Sequence, residues 1–224
     1  GEYDTRINVK LKSCKETEIN APGPKVTQDQ FQALLTQIKN TTNKDTVIVA
    51  GSVPNSIPSD AYAQIAEITK NTGAKLVVDA EKDLVETVLP YQPLFIKPNK
   101  DELEVMFNTT VSSDQDVVKY GKEILKKGAQ SVIISLGGDG AVYVDEQQSI
   151  KAVNPQGKVI NTVGSGDSTV AGMVAGLESG LSIQDAFKQA VASGTATAFE
   201  EDLATRDAIE KIKSQVTVSV LDGE

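Results

Sequence analysis

Four short apolar runs alternate with amphipathic segments along most of this chain, and that alternation restricts it to one kind of architecture. The runs at 46–50, 75–79, 93–96 and 131–135 read as buried strands. Helices are expected over Gln28–Lys39, with Phe31, Leu34, Leu35 and Ile38 on one face, and over Ser59–Asn71, where Pro58 is a good starter. Further helices are expected over 81–88 and over 113–127, the latter carrying Val117, Val118, Ile124 and Leu125. Strands separated by helices need crossover connections. The fold class is therefore α/β, a largely parallel sheet with helices on both faces. Two helices over 166–179 and 182–199 should pack as a pair, the second slimmed by Ala190, Ala192, Ala196 and Ala198. A helix over 205–213 and a strand over 216–221 close the chain. At the other end, 3–12 and 15–20 read as two short strands about a turn at Lys12–Lys15, and 21–26 as a Pro/Gly linker.

The composition excludes several kinds of chemistry. The 224 residues hold no His, so His triads, His metal sites and His general bases are ruled out. Proton transfer falls to Asp, Glu, Lys or a similar group. Cys14 is alone, which excludes an intrachain disulfide and a zinc-type cluster. No stretch of ~20 apolar residues suits a membrane span. The net charge of −9 argues against nucleic acid and anionic membranes as partners.

Three segments carry candidate chemistry. In the first, Asn161–Gly176, the turn Gly164-Ser165-Gly166 precedes Asp167 and an apolar helix. Glycines let backbone N–H groups converge, and the following helix N-terminus carries partial positive charge, so the turn suits an anion. Asp167 there is either a helix cap or a base that takes a proton from a hydroxyl beside a transferring phosphoryl group. The segment fits neither GxxxxGK[ST] nor GxGxxG. The second segment, Lys97-Pro98-Asn99-Lys100-Asp101-Glu102, follows a strand and opens a helix. Asn99 and Glu102 are hard oxygen donors one turn apart, which suits Mg²⁺, and they equally suit a capping box. The third, Ser131–Ala141, joins a buried strand to a returning one through a turn holding Ser135, Gly137 and Gly140. A plain hairpin and a cradle of backbone donors are both open there.

Together and in this order, the segments resemble the ribokinase/PfkB sugar-kinase family. NTVGSGD is similar to that family's DTxGAGD signature, with Asn161 in place of Asp and Ser165 in place of Ala. The resemblance implies a ribokinase-like three-layer α/β sandwich with a mainly parallel central sheet and a small β lid. It also implies ATP and Mg²⁺ as cofactors. Asp167 would be the catalytic base, and Gly164, Ser165 and Gly166 the anion hole. Ser135, Gly137 and Gly140 match the S-x-G-x-x-G turn that holds the nucleotide. Asn99 and Glu102 match the NxxE pair near Mg·ATP. Lys97 would lie near the phosphates, or be a solvated lysine. Asp79, at a strand end, matches an acidic position that helps hold Mg²⁺ in phosphofructokinase relatives.

Two further matches concern the substrate. Gly51-Ser52-Val53-Pro54 resembles the GSLP segment of the phosphosugar branch, and Thr5-Arg6-Ile7-Asn8 its TRxN segment. Ser52 and Arg6 would then contact the sugar phosphate, which a guanidinium grips bidentately; otherwise Arg6 is an exposed strand residue. Glu16–Asn20 followed by Gly23-Pro24 looks most like the 1-phosphofructokinase group. The implied reaction is ATP-dependent conversion of fructose 1-phosphate to fructose 1,6-bisphosphate in the cytoplasm. Tagatose-6-phosphate kinase, 6-phosphofructokinase and a non-catalytic nucleotide-binding domain are the alternatives. By the same resemblance, residues 1–25 are lid strands through which a homodimer forms, and 26–224 are the nucleotide-binding domain. About 80–90 residues that the family carries first, more than half of a typical ~150-residue domain, are expected to be absent.

Overall fold

The computed structural model describes residues 5–12, 16–21 and 23–221. The start of the first expected strand and the turn containing Cys14 fall outside those residues. What is described of the N-terminal segment is a two-stranded antiparallel ribbon, β1 (Asn8–Lys12) and β2 (Glu16–Asn20), in which Val9 faces Ile19.

The rest is built on a seven-stranded sheet. Its strands lie side by side in chain order: β3 (Thr46–Ala50), β4 (Lys75–Asp79), β5 (Phe95–Ile96), β6 (Ser131–Ser135), β7 (Ala141–Asp145), β8 (Ser149–Val153) and β9 (Thr217–Val220). From β3 to β6 the pairing is parallel; from β6 to β9 it is antiparallel. β5 is shorter than the run at 93–96, because Pro93 has no N–H to give a ladder. β8 has no counterpart in the sequence reading. Its Ile150 and Ala152 are fully buried, yet its five-residue length and the exposed apolar Val153 leave only a weak alternating signal.

Neighbouring strand residues point to opposite faces, which creates two cores. Val78, Ile96, Val132, Ile134, Val142 and Val144 face one layer of helices: α2 (Ala61–Thr72), α3 (Lys82–Val88), α4 (Lys100–Phe107) and α5 (Asp114–Lys126). Val77, Phe95, Ile133, Tyr143, Ile150 and Ala152 face the other layer: α6 (Ser165–Glu178), α7 (Ile183–Ala198) and α8 (Arg206–Lys213). α1 (Gln28–Ile38) buries Phe31, Leu35 and Ile38 against α2, and so extends the first layer. Each fully buried side chain of this kind stabilises the fold by about 1.5–3 kcal/mol. These are the three layers that the alternating pattern predicts.

Local chemistry sets the helix ends. Thr27 with Gln30 and Ser113 with Asp116 form capping boxes that open α1 and α5. α2 stops at Gly73, in the left-handed conformation. It starts at Ala61 instead of Ser59, because Pro58–Asp60 form a preceding turn closed by the Ala61 N–H on the Pro58 carbonyl, 3.1 Å.

Candidate active site

The carboxyl ends of the parallel strands come out on one edge of the sheet, where open α/β folds bind ligands. β3 delivers Gly51 and Ser52, β4 delivers Asp79, β5 leads into Lys97 and Asn99, and β6 ends in Ser135. Beneath that edge a cleft of about 630 Å³ opens. Lys97, Asn99, Ser135, Gly137, Gly140, Ser165 and Gly166 all line it, so seven residues chosen from three separate segments converge.

The N-terminus of α6 forms one end of the cleft. Gly164 caps it with φ of 78°, and a Cβ there would also come within 2.7 Å of Leu203. That position needs glycine. The Ser165 N–H donates to the Thr162 carbonyl at 3.3 Å. The donors of the first turn that remain open among the described residues are therefore those of Gly166 and Asp167. The Ser165 hydroxyl is buried with no hydrogen-bond partner among the described residues. The Asp167 side chain stands exposed in this first turn.

Lys97 is not a solvated lysine. It is 8% exposed, and its Nζ lies 3.2 Å from the Asp79 carboxylate. A Cβ added to Gly166 would meet Lys97 Nζ at 3.4 Å and Asp79 Oδ2 at 3.9 Å. This ion pair therefore sits against the α6 N-terminus. Burial pushes the Asp79 carboxyl above its usual range; Lys97 opposes that shift, and the negative charge of Asp167 adds to it.

Asn99 and Glu102 form a capping box at α4. Asn99 Oδ1 accepts from the Glu102 N–H at 2.8 Å, and Glu102 Oε2 accepts from the Asn99 N–H at 2.8 Å. Among the described residues, no three His, Cys, Asp or Glu side chains gather into a metal-binding cluster. Asp79 is held by Lys97. The donor set still fits Mg²⁺, which takes one or two carboxylates and fills its shell with water and phosphate oxygens. Glu102 uses only Oε2 in the cap, which leaves Oε1 open among the described residues.

Arg6 and Ser52 meet away from the cleft lining. The Arg6 guanidinium donates to the Ser52 hydroxyl. The Gly51 N–H donates to the Asp79 carbonyl at 2.9 Å, and Tyr62 Oη donates to the Gly51 carbonyl at 2.7 Å. The candidate phosphosugar residues are thus tied to the strand that carries Asp79, and through Lys97 to the α6 turn.

The far wall of the cleft was not legible residue by residue. It comes from the segment after β8, including Asn154 and Gly157, and from Val191, Thr195 and Phe199 at α7. The close approach of Gly157 to Phe199, 2.2 Å from a built Cβ, joins residues 42 positions apart that no local pattern connects.

Comparison with known proteins settles the family. The model for the pfkB family of carbohydrate kinases matches residues 2–209. This chain belongs to the pfkB carbohydrate kinases. A 1-phosphofructokinase of Bacillus subtilis is 42% identical over 97% of this chain and 72% of its own length. A D-tagatose-1-phosphate kinase of Bacillus licheniformis is 34% identical, again over 97% of this chain and 72% of the relative. A crystal structure from Staphylococcus aureus, provisionally described as a phosphofructokinase, superposes with a TM-score of 0.90. It is 79% identical and covers all of this chain and 73% of that one. The ribokinase-like sandwich expected of a pfkB kinase is the fold observed.

Proposed function

We propose that this chain carries most of an ATP-dependent kinase acting on a ketohexose 1-phosphate, with fructose 1-phosphate converted to fructose 1,6-bisphosphate. The observation that carries the substrate class is the Arg6–Ser52 contact. It gathers a guanidinium and a hydroxyl, a phosphate-binding pair, on the strand-end edge that also carries the Asp79–Lys97 pair. The relatives named 1-phosphofructokinase and D-tagatose-1-phosphate kinase support the 1-phosphate over the 6-phosphate.

In this reading ATP lies in the cleft, its phosphates directed at the first turn of α6. Asp167 takes the proton of the sugar hydroxyl as that oxygen bonds to the γ-phosphorus and the bond to the leaving ADP oxygen breaks. The open amides of Gly166 and Asp167 meet the charge on the transferred group, and Lys97 adds a fixed cation beside them. Phosphoryl transfer needs mainly this positioning and charge stabilisation. Asn99 and Glu102 would hold Mg²⁺ with its water shell, and Asp79, paired with Lys97, would assist from beside them. Bound there, Mg²⁺ neutralises phosphate charge.

The β1–β2 ribbon would act as the sugar lid and as the contact in a homodimer. Ile7, Val9, Leu11 and Ile19 are 42–64% exposed, and the alternation of 7, 9 and 11 with Val9 opposite Ile19 places them on one face. A Val9→Glu variant is expected to sediment as a monomer where the full-length protein sediments as a dimer; an unchanged dimer would place the contact elsewhere. No helix among the described residues is long and apolar enough to cross a membrane. A cytoplasmic location, where ATP is available, fits the activity.

The deciding experiment is a coupled assay on the full-length protein with fructose 1-phosphate, tagatose 1-phosphate, fructose 6-phosphate and tagatose 6-phosphate. The highest kcat/KM is expected for fructose 1-phosphate. Preference for a 6-phosphate would overturn the substrate class. ATP binding without turnover on any of the four would favour a non-catalytic nucleotide-binding domain.

A further inference from the structure

One side chain ties the two walls of the cleft together. Asn154 begins the segment after β8. Its Nδ2 donates to the Gly137 carbonyl at 3.0 Å, across 17 residues. Its Oδ1 accepts from the Thr195 hydroxyl at 2.8 Å, across 41 residues. Gly137 belongs to the turn that forms one wall, Thr195 belongs to α7 in the other, and all three residues line the cleft. The amide orientation follows from the partners. The Gly137 carbonyl can only accept, so it must face the NH₂ end, which leaves the amide oxygen to take the Thr195 proton.

The two anchors differ in rigidity. α7 is buried along most of its length, from Ala186 to Thr197. The Ser135–Gly140 turn is held by backbone bonds of its own, Leu136 N–H to Gly140 carbonyl at 2.8 Å and Gly140 N–H to Gly137 carbonyl at 3.2 Å, but Gly137 has no side chain to fix it against the opposite wall. Asn154 supplies that missing link.

We propose that Asn154 is a positioning residue for the nucleotide: it sets the spacing between the Ser135–Gly140 turn and α7, and acts through the Gly137 carbonyl and the Thr195 hydroxyl. The inference rests on the reading of this cleft as the ATP site. Only an amide serves both partners. An aspartate keeps the acceptor for Thr195 but turns a carboxylate oxygen toward the Gly137 carbonyl, where two acceptors repel and the carbonyl keeps only the Gly140 N–H of its two donors.

The test uses the full-length protein. Asn154→Asp is expected to weaken ATP, in calorimetric Kd and in KM, by about fivefold to tenfold, the size of one lost hydrogen bond. The KM for the sugar phosphate should stay within about twofold. Thr195→Val should shift the ATP constants in the same direction, while Thr195→Ser, which keeps the hydroxyl, should restore them. If Asn154→Asp does not fold, the Thr195 pair of variants carries the test. A fall in melting temperature with ATP and sugar constants rising by the same factor would reduce Asn154 to general structural support and overturn the proposal. So would an ATP Kd within twofold of wild type in both Asn154→Asp and Thr195→Val. Failure of the wild-type protein to bind ATP would overturn the cleft assignment itself, and this inference with it.

Discussion

The Arg6 guanidinium donates to the hydroxyl of Ser52, a residue 46 positions away, beyond three strands and a helix. Each was chosen from its own short motif, and the fold places them in contact. Arg6→Ala is expected to raise the KM for the sugar phosphate by about 10- to 100-fold. That is the cost of a charge-assisted hydrogen bond of ~1.5–3 kcal/mol, with the KM for ATP unchanged. Arg6→Lys should recover only part of the loss, since an ammonium cannot make the paired contact. Steady-state kinetics with each substrate varied in turn checks this. A shift confined to ATP would place Arg6 outside the sugar-phosphate site.

Glu102 has two roles that one substitution separates. Glutamine can occupy the same capping box, because its amide oxygen still accepts from the Asn99 N–H. Glu102→Gln should therefore leave the melting temperature near wild type while shifting the half-saturating Mg²⁺ concentration upward. A Mg²⁺ titration at fixed ATP, run beside a thermal melt, reads both. An unchanged titration would leave Glu102 as a cap alone.

The buried Asp79 predicts a pH dependence of stability. Burial raises its pKa in the folded chain, so the folded state holds this proton more tightly than the unfolded one. Its contribution is then fully present below the unfolded value of about 4 and is lost as pH rises through the folded value. Denaturant melts of wild type and Asp79→Asn should show a stability difference, wild type minus variant, that falls as pH rises above about 4. A difference that grows over that range would mean that the attraction of Lys97 outweighs burial.

What the sequence revealed and what it hid divide along the range of the interactions involved. β3, β4 and β6 announce themselves by local apolar runs, and the α6 turn by three adjacent small residues before a carboxylate. The Asn99/Glu102 pair is legible twice over, since the spacing that makes a capping box also aligns two oxygen donors. Lys97 was ambiguous because its surroundings are set by Asp79 and Gly166, both remote in sequence. β8 is hidden because it is five residues long with only Ile150 and Ala152 as apolar inward positions and apolar Val153 exposed at its end. Asn154 and Thr195 were missed because neither belongs to a motif; their role arises only where the segment after β8 meets α7.

Asp167 is the proposed base at the α6 turn. Asp167→Asn keeps the size of the side chain and removes the proton acceptor. In the full-length protein kcat is expected to fall at least ~10²-fold, the lower range for general-base catalysis, with ATP affinity by calorimetry unchanged. A variant that turns over within a few-fold of wild type would reduce Asp167 to a helix cap and contradict the mechanism.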